Sequence, residues 1–199
     1  MLETRHLTPK TFAIQPWKNG LGETREIALD SQRPYRWRVS QATLSGDCPF
    51  SLFPGYKRTI VLLEGDSVEI QIEGKERRPL VRLLPFTFSG NLPAQVFLNG
   101  RGEDFNLFIK EGAAKGALYP THIEKGEDYQ FPLAGNEHLI YCTRGKLKVF
   151  ERNLNKTFKL SQGEILMIRR TDKEEYLNVK AVAHEGEVSL LWGVIHLLN

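Results

Sequence analysis

The fold is decided by the segment from Arg58 to Gly74, which reads Arg-Thr-Ile-Val-Leu-Leu-Glu-Gly-Asp-Ser-Val-Glu-Ile-Gln-Ile-Glu-Gly. In its second half, apolar residues at 68, 70 and 72 alternate with polar residues at 69, 71 and 73. This alternation places apolar side chains on one face of a strand and polar side chains on the other. An apolar run at 60–63 precedes it and ends at Gly65. The segment therefore predicts two strands that are joined at a glycine turn.

The same pattern extends along the rest of the chain. Leu147 and Val149 alternate with Lys146 and Lys148, and glycine or proline recurs at short intervals from Gly55 onward. Many short strands between such turns are typical of a β-sandwich or barrel. The sequence therefore predicts an all-β protein.

A faint internal repeat divides the chain into two halves. The segments Arg58–Gly65 and His138–Gly145 are both β-runs that end at a glycine, and a further strand follows each. Such a repeat predicts two similar barrels. We expect an N-terminal barrel with the ligand site at residues 1–112 and a C-terminal barrel at residues 113–199. An exchange of strands between the two halves is left open.

Composition excludes several classes of function. The 199 residues include 27 Lys and Arg and 24 Asp and Glu, a net charge of +3 that does not suggest nucleic-acid binding. The longest apolar runs have the length of strands, so no membrane span is expected. The start of the chain is polar and lacks a signal-peptide core. Cys48 and Cys142 are far apart and are read as reduced thiols. We expect a cytoplasmic protein.

The strand, the Leu-Glu-Gly turn and the hairpin resemble the small jelly-roll barrel of the cupins. Cupins usually carry a metal site built on a His-x-His motif and a glutamate. Here Arg58 stands at the glutamate position, Ser51 falls near a histidine position, and His138 stands at the glutamate position of the second half. The chain contains no His-x-His motif. We therefore expect neither a metal nor another cofactor.

A closer resemblance is to the HutD/Ves family of bicupin proteins. It rests on motifs that occur in order between about residues 15 and 110, namely Trp17–Ile27, Trp37–Ser40, Phe50–Arg58, Leu63–Gly65, Pro85–Phe88 and Asp104–Asn106. The resemblance implies two cupin barrels in one chain without a catalytic metal. It also implies a role either in restraining histidine utilisation, with N-formyl-glutamate as a proposed ligand, or in a stress response.

Arg58 is the residue on which the predicted site depends. It shares a strand face with Ile60 and Leu62, and the cupin resemblance points that face into the barrel. A buried guanidinium must be paired, because an isolated charge is costly in a protein interior. Asp104 and Asn106 alternate with Phe105 and so face one way. Two interpretations stay open: an internal Arg58–Asp104 salt bridge, or an anion site in which Arg58 grips a ligand carboxylate.

Other polar and aromatic residues are candidates for the walls of this site. Arg38 and Ser40 would suit a carboxylate or formyl oxygen, and Trp37, on the opposite face of the same strand, would suit a pocket wall. The spacing leaves open which of these faces looks inward. Glu26 is a candidate second acid, and Ser51 is a candidate lining residue. Phe50 and Phe53 are predicted to fill the core.

The sequence favours a ligand-binding protein over an enzyme. The predicted partner is a small anionic metabolite, with no nucleic acid and no membrane, and a homodimer is left open. No residue is assigned a catalytic role. The alternative is a metal-independent isomerase, epimerase or lyase that uses Glu26, Asp104 or His138 as acid and base.

Overall fold

The computed structural model describes residues 2–17, 20–30, 34–151, 155–171, 177–183 and 185–198. Nearly all of its regular structure is β-strand, and the described helix is a single 3₁₀ turn at Pro9–Thr11. The prediction of an all-β protein is therefore confirmed. Among the described residues, no helix has the length and the apolar character needed to cross a membrane.

The strands are numbered in chain order. Those up to residue 110 are β1 (Leu2–Leu7), β2 (Ala13–Pro16), β3 (Gly22–Leu29), β4 (Trp37–Ser45), β5 (Cys48–Pro49), β6 (Tyr56–Glu64), β7 (Glu69–Ile72), β8 (Arg78–Pro79), β9 (Phe86–Ser89), β10 (Ala94–Phe97) and β11 (Arg101–Lys110). Those that follow are β12 (Ala114–Ile123), β13 (Asp128–Pro132), β14 (Glu137–Arg144), β15 (Lys146–Glu151), β16 (Lys156–Ser161), β17 (Ile165–Arg170), β18 (Asn178–Ala183) and β19 (Val188–Leu197).

The chain divides into two compact units. One, here called the N-terminal unit, contains residues 12–115 and the C-terminal Leu198. The other, the C-terminal unit, contains residues 2–11 and 116–197. The first strand belongs to the C-terminal unit because β1 pairs along its whole length with β17. Strand β12 begins one residue after the predicted boundary between residues 112 and 113.

The N-terminal unit is built from two sheets. The larger has the order β2-β3-β4-β11-β6-β9 and the smaller has the order β5-β10-β7-β8. Apolar residues from both sheets share one core, so the sheets pack against each other. This core contains Leu44, Cys48, Phe50, Ile60, Leu62, Val68, Ile70, Leu80, Phe88, Ala94, Val96 and Leu98.

The C-terminal unit repeats this plan. Its larger sheet has the order β1-β17-β14-β19-β12 and its smaller sheet has the order β13-β18-β15-β16. As the alternation predicts, Leu147 and Val149 are buried in the core of this unit. Phe131 and Trp192 pack against each other in this core, with ring centroids 4.8 Å apart.

Two glycines end the repeated segments, and both the backbone conformation and the close packing at these positions require glycine. Gly65 has a φ of +131° and Gly145 has a φ of +85°. A Cβ at Gly65 would lie 2.9 Å from the side chain of Val68, and a Cβ at Gly145 would lie 2.5 Å from the backbone oxygen of Glu187. Only glycine satisfies both conditions, so these turns fix where the following strands begin.

Three glycine-to-alanine variants of the C-terminal unit separate the two effects. Gly145→Ala adds both a positive φ and a backbone clash, Gly126→Ala adds only a positive φ, and Gly186→Ala adds neither. We expect Gly126→Ala to lower the free energy of unfolding by about 1–2 kcal/mol and Gly145→Ala to lower it further. Gly186→Ala should leave it within about 0.5 kcal/mol of the wild type. Chemical denaturation measures all three, and equal effects of Gly145→Ala and Gly186→Ala would contradict the assignment.

Candidate functional site

The core-facing side of the larger N-terminal sheet carries the predicted polar residues in register. Strand β11 lies between β4 and β6. Phe108 pairs with Arg58 on β6 and with Arg38 on β4. Two residues earlier, Asn106 pairs with Ile60 and with Ser40. Because side chains alternate along a strand, two guanidinium groups flank one aromatic ring on the same face of the sheet.

A cavity of about 630 Å³ lies against this face. Its volume is within the range of small-molecule sites in proteins. Its wall is formed by Gln15, Pro16, Trp17, Thr24, Arg38, Ser40, Ala42, Pro49, Phe50, Ser51, Phe53, Arg58, Asn106 and Phe108. The wall therefore combines two cations and several hydroxyl or amide groups with four aromatic side chains.

Arg58 is 5% exposed and is held by one amide oxygen. Its Nε and Nη2 both donate to Oδ1 of Asn106, at 3.0 and 2.8 Å. A guanidinium has five N–H groups, and among the described residues Asn106 is the hydrogen-bond acceptor that Arg58 contacts. Three N–H groups thus have no acceptor among the described residues, and Arg58 is one of the side chains that line the cavity.

Asn106 connects this guanidinium to a buried carboxylate. Its Nδ2 donates to Oδ1 of Asp104, which is fully buried. Oδ2 of Asp104 has no hydrogen-bond partner among the described residues. No direct Arg58–Asp104 ion pair within 4.0 Å occurs in the part of the chain that the structure describes, so Asn106 stands between the two charges.

Burial shifts the pKa of both Arg58 and Asp104. The pKa of Arg58 is lowered from 12.5 to about 10, mainly by burial, with Asp104 opposing this shift and Arg38 adding to it. Arg58 therefore stays positively charged at neutral pH. Burial raises the pKa of Asp104 from 3.8 to about 6, against the opposing effects of Arg58 and the Asn106 hydrogen bond. Asp104 is thus a carboxyl group that can change its charge near neutral pH.

Aromatic rings fix the plane of the Arg58 guanidinium. Its central carbon lies 4.0 Å from the centroid of Phe50, 5.2 Å from that of Phe108 and 5.5 Å from that of Phe88. Contacts at these distances favour a cation over a ring face. The rings also keep water from one side of the group, which strengthens its interaction with an anion.

A second cation on the cavity wall has a carboxylate partner. Arg38 is buried, and its Nε donates to Oε2 of Glu26 at 2.8 Å. Its guanidinium carbon lies 5.4 Å from the centroid of Phe108, on the same ring that Arg58 contacts. The buried Ser40 lies between Arg38 and Ala42 on this wall. The cavity therefore offers one cation with free donors and one cation that a carboxylate already neutralises.

The structure brings most of the predicted site residues together. Arg58, Asn106, Arg38, Ser40 and Ser51 line the cavity directly. Glu26 reaches it through Arg38, and Asp104 lies behind Asn106.

Trp37 is not part of this wall. It lies one residue from Arg38 on the opposite face of β4 and is fully buried there. The spacing alone left open which face of this strand looks inward, and the structure places Arg38 and Ser40 on the cavity side.

Some wall residues were not predicted. Phe50 packs in the core, as predicted, but it also lines the cavity and contacts Arg58. Phe108 continues the alternation of Asp104 and Asn106, so extending that pattern by two residues would have identified it. Trp17, whose Nε1 donates to Oγ1 of Thr24 at 2.8 Å, closes one side of the cavity.

A second cavity of about 580 Å³ lies at one end of the same sheet and shares Pro16 and Trp17 with the first. Its charged residues belong to the opposite side of the strands, and they are Glu23, Arg25, Glu64, Arg101 and Glu103. Gln41 donates to Glu103 at 3.0 Å, and burial together with Glu64 raises the pKa of Glu103. Charged residues form a larger share of this wall than of the first, and Arg25 and Glu23 form an ion pair there at 2.8 Å.

The three acid–base candidates from the sequence are not presented together to a ligand. Glu26 is bonded to Arg38, and Asp104 lies beneath Asn106. His138 belongs to the C-terminal unit, where burial lowers its pKa to about 4 and its ring stacks on Trp192. Among the described residues, no three His, Cys, Asp or Glu side chains are grouped so that they could hold a metal ion.

Sequence comparisons relate this chain to bacterial proteins. A family model described as HutD matches residues 9–188. The protein Ves from Citrobacter koseri is 46% identical over 114 residues, which cover 55% of this chain and 59% of that protein. An uncharacterized 21.2 kDa protein of the hutC 3′ region of Pseudomonas putida is 37% identical over 111 residues, which cover 54% of this chain and 58% of that protein. The matched segments span less than two thirds of these relatives.

Solved structures share the fold over nearly the whole chain. HutD from Pseudomonas fluorescens superposes with a TM-score of 0.83 at 24% identity, covering 99% of this chain and 100% of that chain. A cupin 2 conserved barrel domain protein from Leptotrichia buccalis superposes with a TM-score of 0.62 at 13% identity, covering 96% of each chain. The fold is therefore cupin-like.

The raised pKa of Asp104 predicts how the stability of the fold depends on pH. Because the folded-state pKa lies above the ordinary value, the folded state binds more protons between 3.8 and about 6, and the contribution of Asp104 to stability is lost as the pH rises through this window. As the pH rises through this window, we expect the free energy of unfolding of Asp104→Asn to increase relative to that of the wild type, by at most about 1.4 kcal/mol per pH unit.

Urea unfolding at pH values below, within and above that window measures this difference. Asp66→Asn, which removes an exposed carboxylate from the turn after β6, is the control and should run parallel to the wild type. A constant difference between Asp104→Asn and the wild type at every pH would contradict the prediction.

Proposed function

The chain belongs to the HutD family, and we propose that it binds a small organic acid in the cavity beside Arg58, without a metal, and acts as a sensor or buffer of that acid. The observation that carries this proposal is the buried Arg58 guanidinium, which keeps three N–H donors free of acceptors among the described residues. A buried cation with unused donors favours an anionic ligand.

The geometry of Arg58 suits a carboxylate. A guanidinium presents paired N–H groups in a plane, which match the two oxygens of a carboxylate. Phe50 and Phe108 hold that plane, so little side-chain entropy is lost when the ligand binds. A lysine in this position would offer a single charged group and could not pair two N–H groups with the two carboxylate oxygens.

The opposite part of the wall suits a second polar group of the ligand. Arg38 and Ser40 can donate to a carbonyl or carboxylate oxygen, and Glu26 can accept from an N–H group. A ligand with an acidic group at one end and an amide or a second acid at the other would use both parts. N-formyl-glutamate, an intermediate of histidine degradation, has this arrangement.

The proposal assigns the protein a regulatory role in histidine utilisation or in a stress response. The relative of Pseudomonas putida that is named for the hutC region favours the first of these. The similarity to the protein Ves of Citrobacter koseri is compatible with the second role, in a stress response.

We further propose that the two units are two cupin barrels of one bicupin chain that works in the cytoplasm. Each unit has a larger and a smaller sheet around its own core, which supports the two-barrel arrangement. Association of two chains into a homodimer is compatible with this function but is not needed for the site, whose wall comes from one unit.

A thermal-shift screen tests the binding function. Formate, acetate, succinate, glutarate and N-formyl-L-glutamate are the probes, and at least one of them should raise the unfolding temperature. At a concentration of one hundred times Kd the stabilisation should be roughly 2.7 kcal/mol. Arg58→Lys, which keeps the charge and loses the fork, should weaken binding about tenfold or more.

The matched control is Arg101→Ala in the second cavity, which should bind the acids as the wild type does. Arg58→Ala extends the series if it remains folded. Loss of binding in Arg101→Ala with full binding in Arg58→Lys would move the site to the second cavity. The absence of a shift for every acid would contradict the proposed function.

A further inference from the structure

The charges around the Arg58 cavity are balanced while the cavity is empty of anions. Arg58 and Arg38 are the two cations, and Asp104 and Glu26 are the two carboxylates. An organic acid that enters beside Arg58 adds one negative charge next to side chains that are buried from water. Such an excess charge is unfavourable at low dielectric, and the uptake of one proton by a carboxylate would remove it.

Asp104 is the carboxylate best placed to accept that proton. It is fully buried, and its Oδ2 has no hydrogen-bond partner among the described residues. Glu26, by contrast, has a side chain that is 21% exposed and bonds directly to Arg38. Burial has already brought the pKa of Asp104 to about 6, close to neutral pH.

The other charged groups near Asp104 do not take over this role. Glu103 is the next residue on β11, but its side chain lies on the opposite face and accepts from Gln41. Burial raises the pKa of Cys48, which faces Asp104 from the smaller sheet, to about 11, so Cys48 stays a neutral thiol. Asp47 accepts a hydrogen bond from the backbone N–H of Leu98. Arg58 remains the cation that both Asp104 and a ligand share.

We propose that Asp104 takes up one proton from solvent when an organic acid anion binds beside Arg58, so that the affinity of the cavity for the acid rises as the pH falls. This inference rests on the proposed function, because it concerns the same cavity and the same class of ligand. It adds a regulation by pH that the binding site alone does not imply.

The protonation step needs no other reactant. A proton from the buffer adds to Oδ2, Asp104 becomes a neutral carboxyl group, and Oδ1 still accepts from Nδ2 of Asn106. Arg58 then has the ligand carboxylate as its counter-charge in place of Asp104. A neutral hydroxyl without a partner costs less in a protein interior than a carboxylate without one, so the bound state favours the protonated form.

Formate is the probe for this test, because it is a monoanion that stays ionised across the pH range of interest. Isothermal titration calorimetry in two buffers of different ionisation enthalpy gives both its Kd and the number of protons taken up. For the wild type, we expect uptake to approach one proton per formate above pH 6 or so. The affinity should rise by up to tenfold per unit decrease in pH there and level off at lower pH.

Two variants distinguish Asp104 from its neighbour. Asp104→Asn should bind formate with an affinity that does not depend on pH and without proton uptake, because its side chain cannot titrate. Glu103→Gln, the control on the opposite face, should still take up a proton when formate binds, because Asp104 is intact, although loss of the Glu103 charge lowers the pKa of Asp104. Uptake that persists in Asp104→Asn, or that disappears in Glu103→Gln, would overturn the assignment to Asp104.

The outcomes also separate this inference from the proposed function. In one outcome, formate binds in a manner that depends on Arg58 but not on pH, with no proton taken up or released. That result would support the binding function and refute the proton coupling. The absence of formate binding at every pH, together with no thermal shift for any acid of the screen, would refute both.

Discussion

The burial of one guanidinium is the constraint on which the rest of the N-terminal unit depends. A charge removed from water must be compensated, and Asp104 supplies the opposite charge without touching Arg58. Asn106 stands between them, so the oxygen that Arg58 contacts belongs to an amide. A direct salt bridge would have placed a carboxylate in contact with Arg58 and neutralised it there, which would weaken its attraction for a second anion. With Asn106 between them, Asp104 compensates the charge from a distance and the contact with Arg58 is made by a neutral group.

The sheet register is what makes this arrangement possible. Arg58, Phe108 and Arg38 occupy one row across three adjacent strands, and Asn106 occupies the next row. Because the spacing between strands is fixed at about 4.8 Å, each guanidinium reaches the same Phe108 ring from its own side. A shift of one residue in the register of β11 would turn Phe108 and Asn106 to the opposite face and would remove both from the cavity wall.

The alternation of apolar and polar residues was enough to predict the class of fold and to place Asp104 and Asn106 on one face of their strand, but it left open whether that face is the one that carries Arg58. It was not enough to orient Trp37 against Arg38, because both faces of β4 are buried and burial is what the pattern encodes. The pairing of β1 with β17 joins residues that are more than 150 positions apart, and no local pattern encodes such a contact. The bulge between Glu26 and Ala28 likewise depends on the partner strand.

The two units share a glycine turn but carry different residues at the start of the strand that leads to it. Arg58 and His138 each lie seven residues before a glycine, and both glycines have a positive φ that only glycine adopts readily. In the N-terminal unit that position carries a cation that faces a cavity. In the C-terminal unit it carries a ring that burial keeps neutral at pH 7, that accepts a hydrogen bond from Gly135 at 2.9 Å and that stacks on Trp192. The glycine fixes the hairpin in both cases, so the residue at its start is free to serve either packing or recognition. A charged residue there is therefore evidence about function, since the fold itself does not need it.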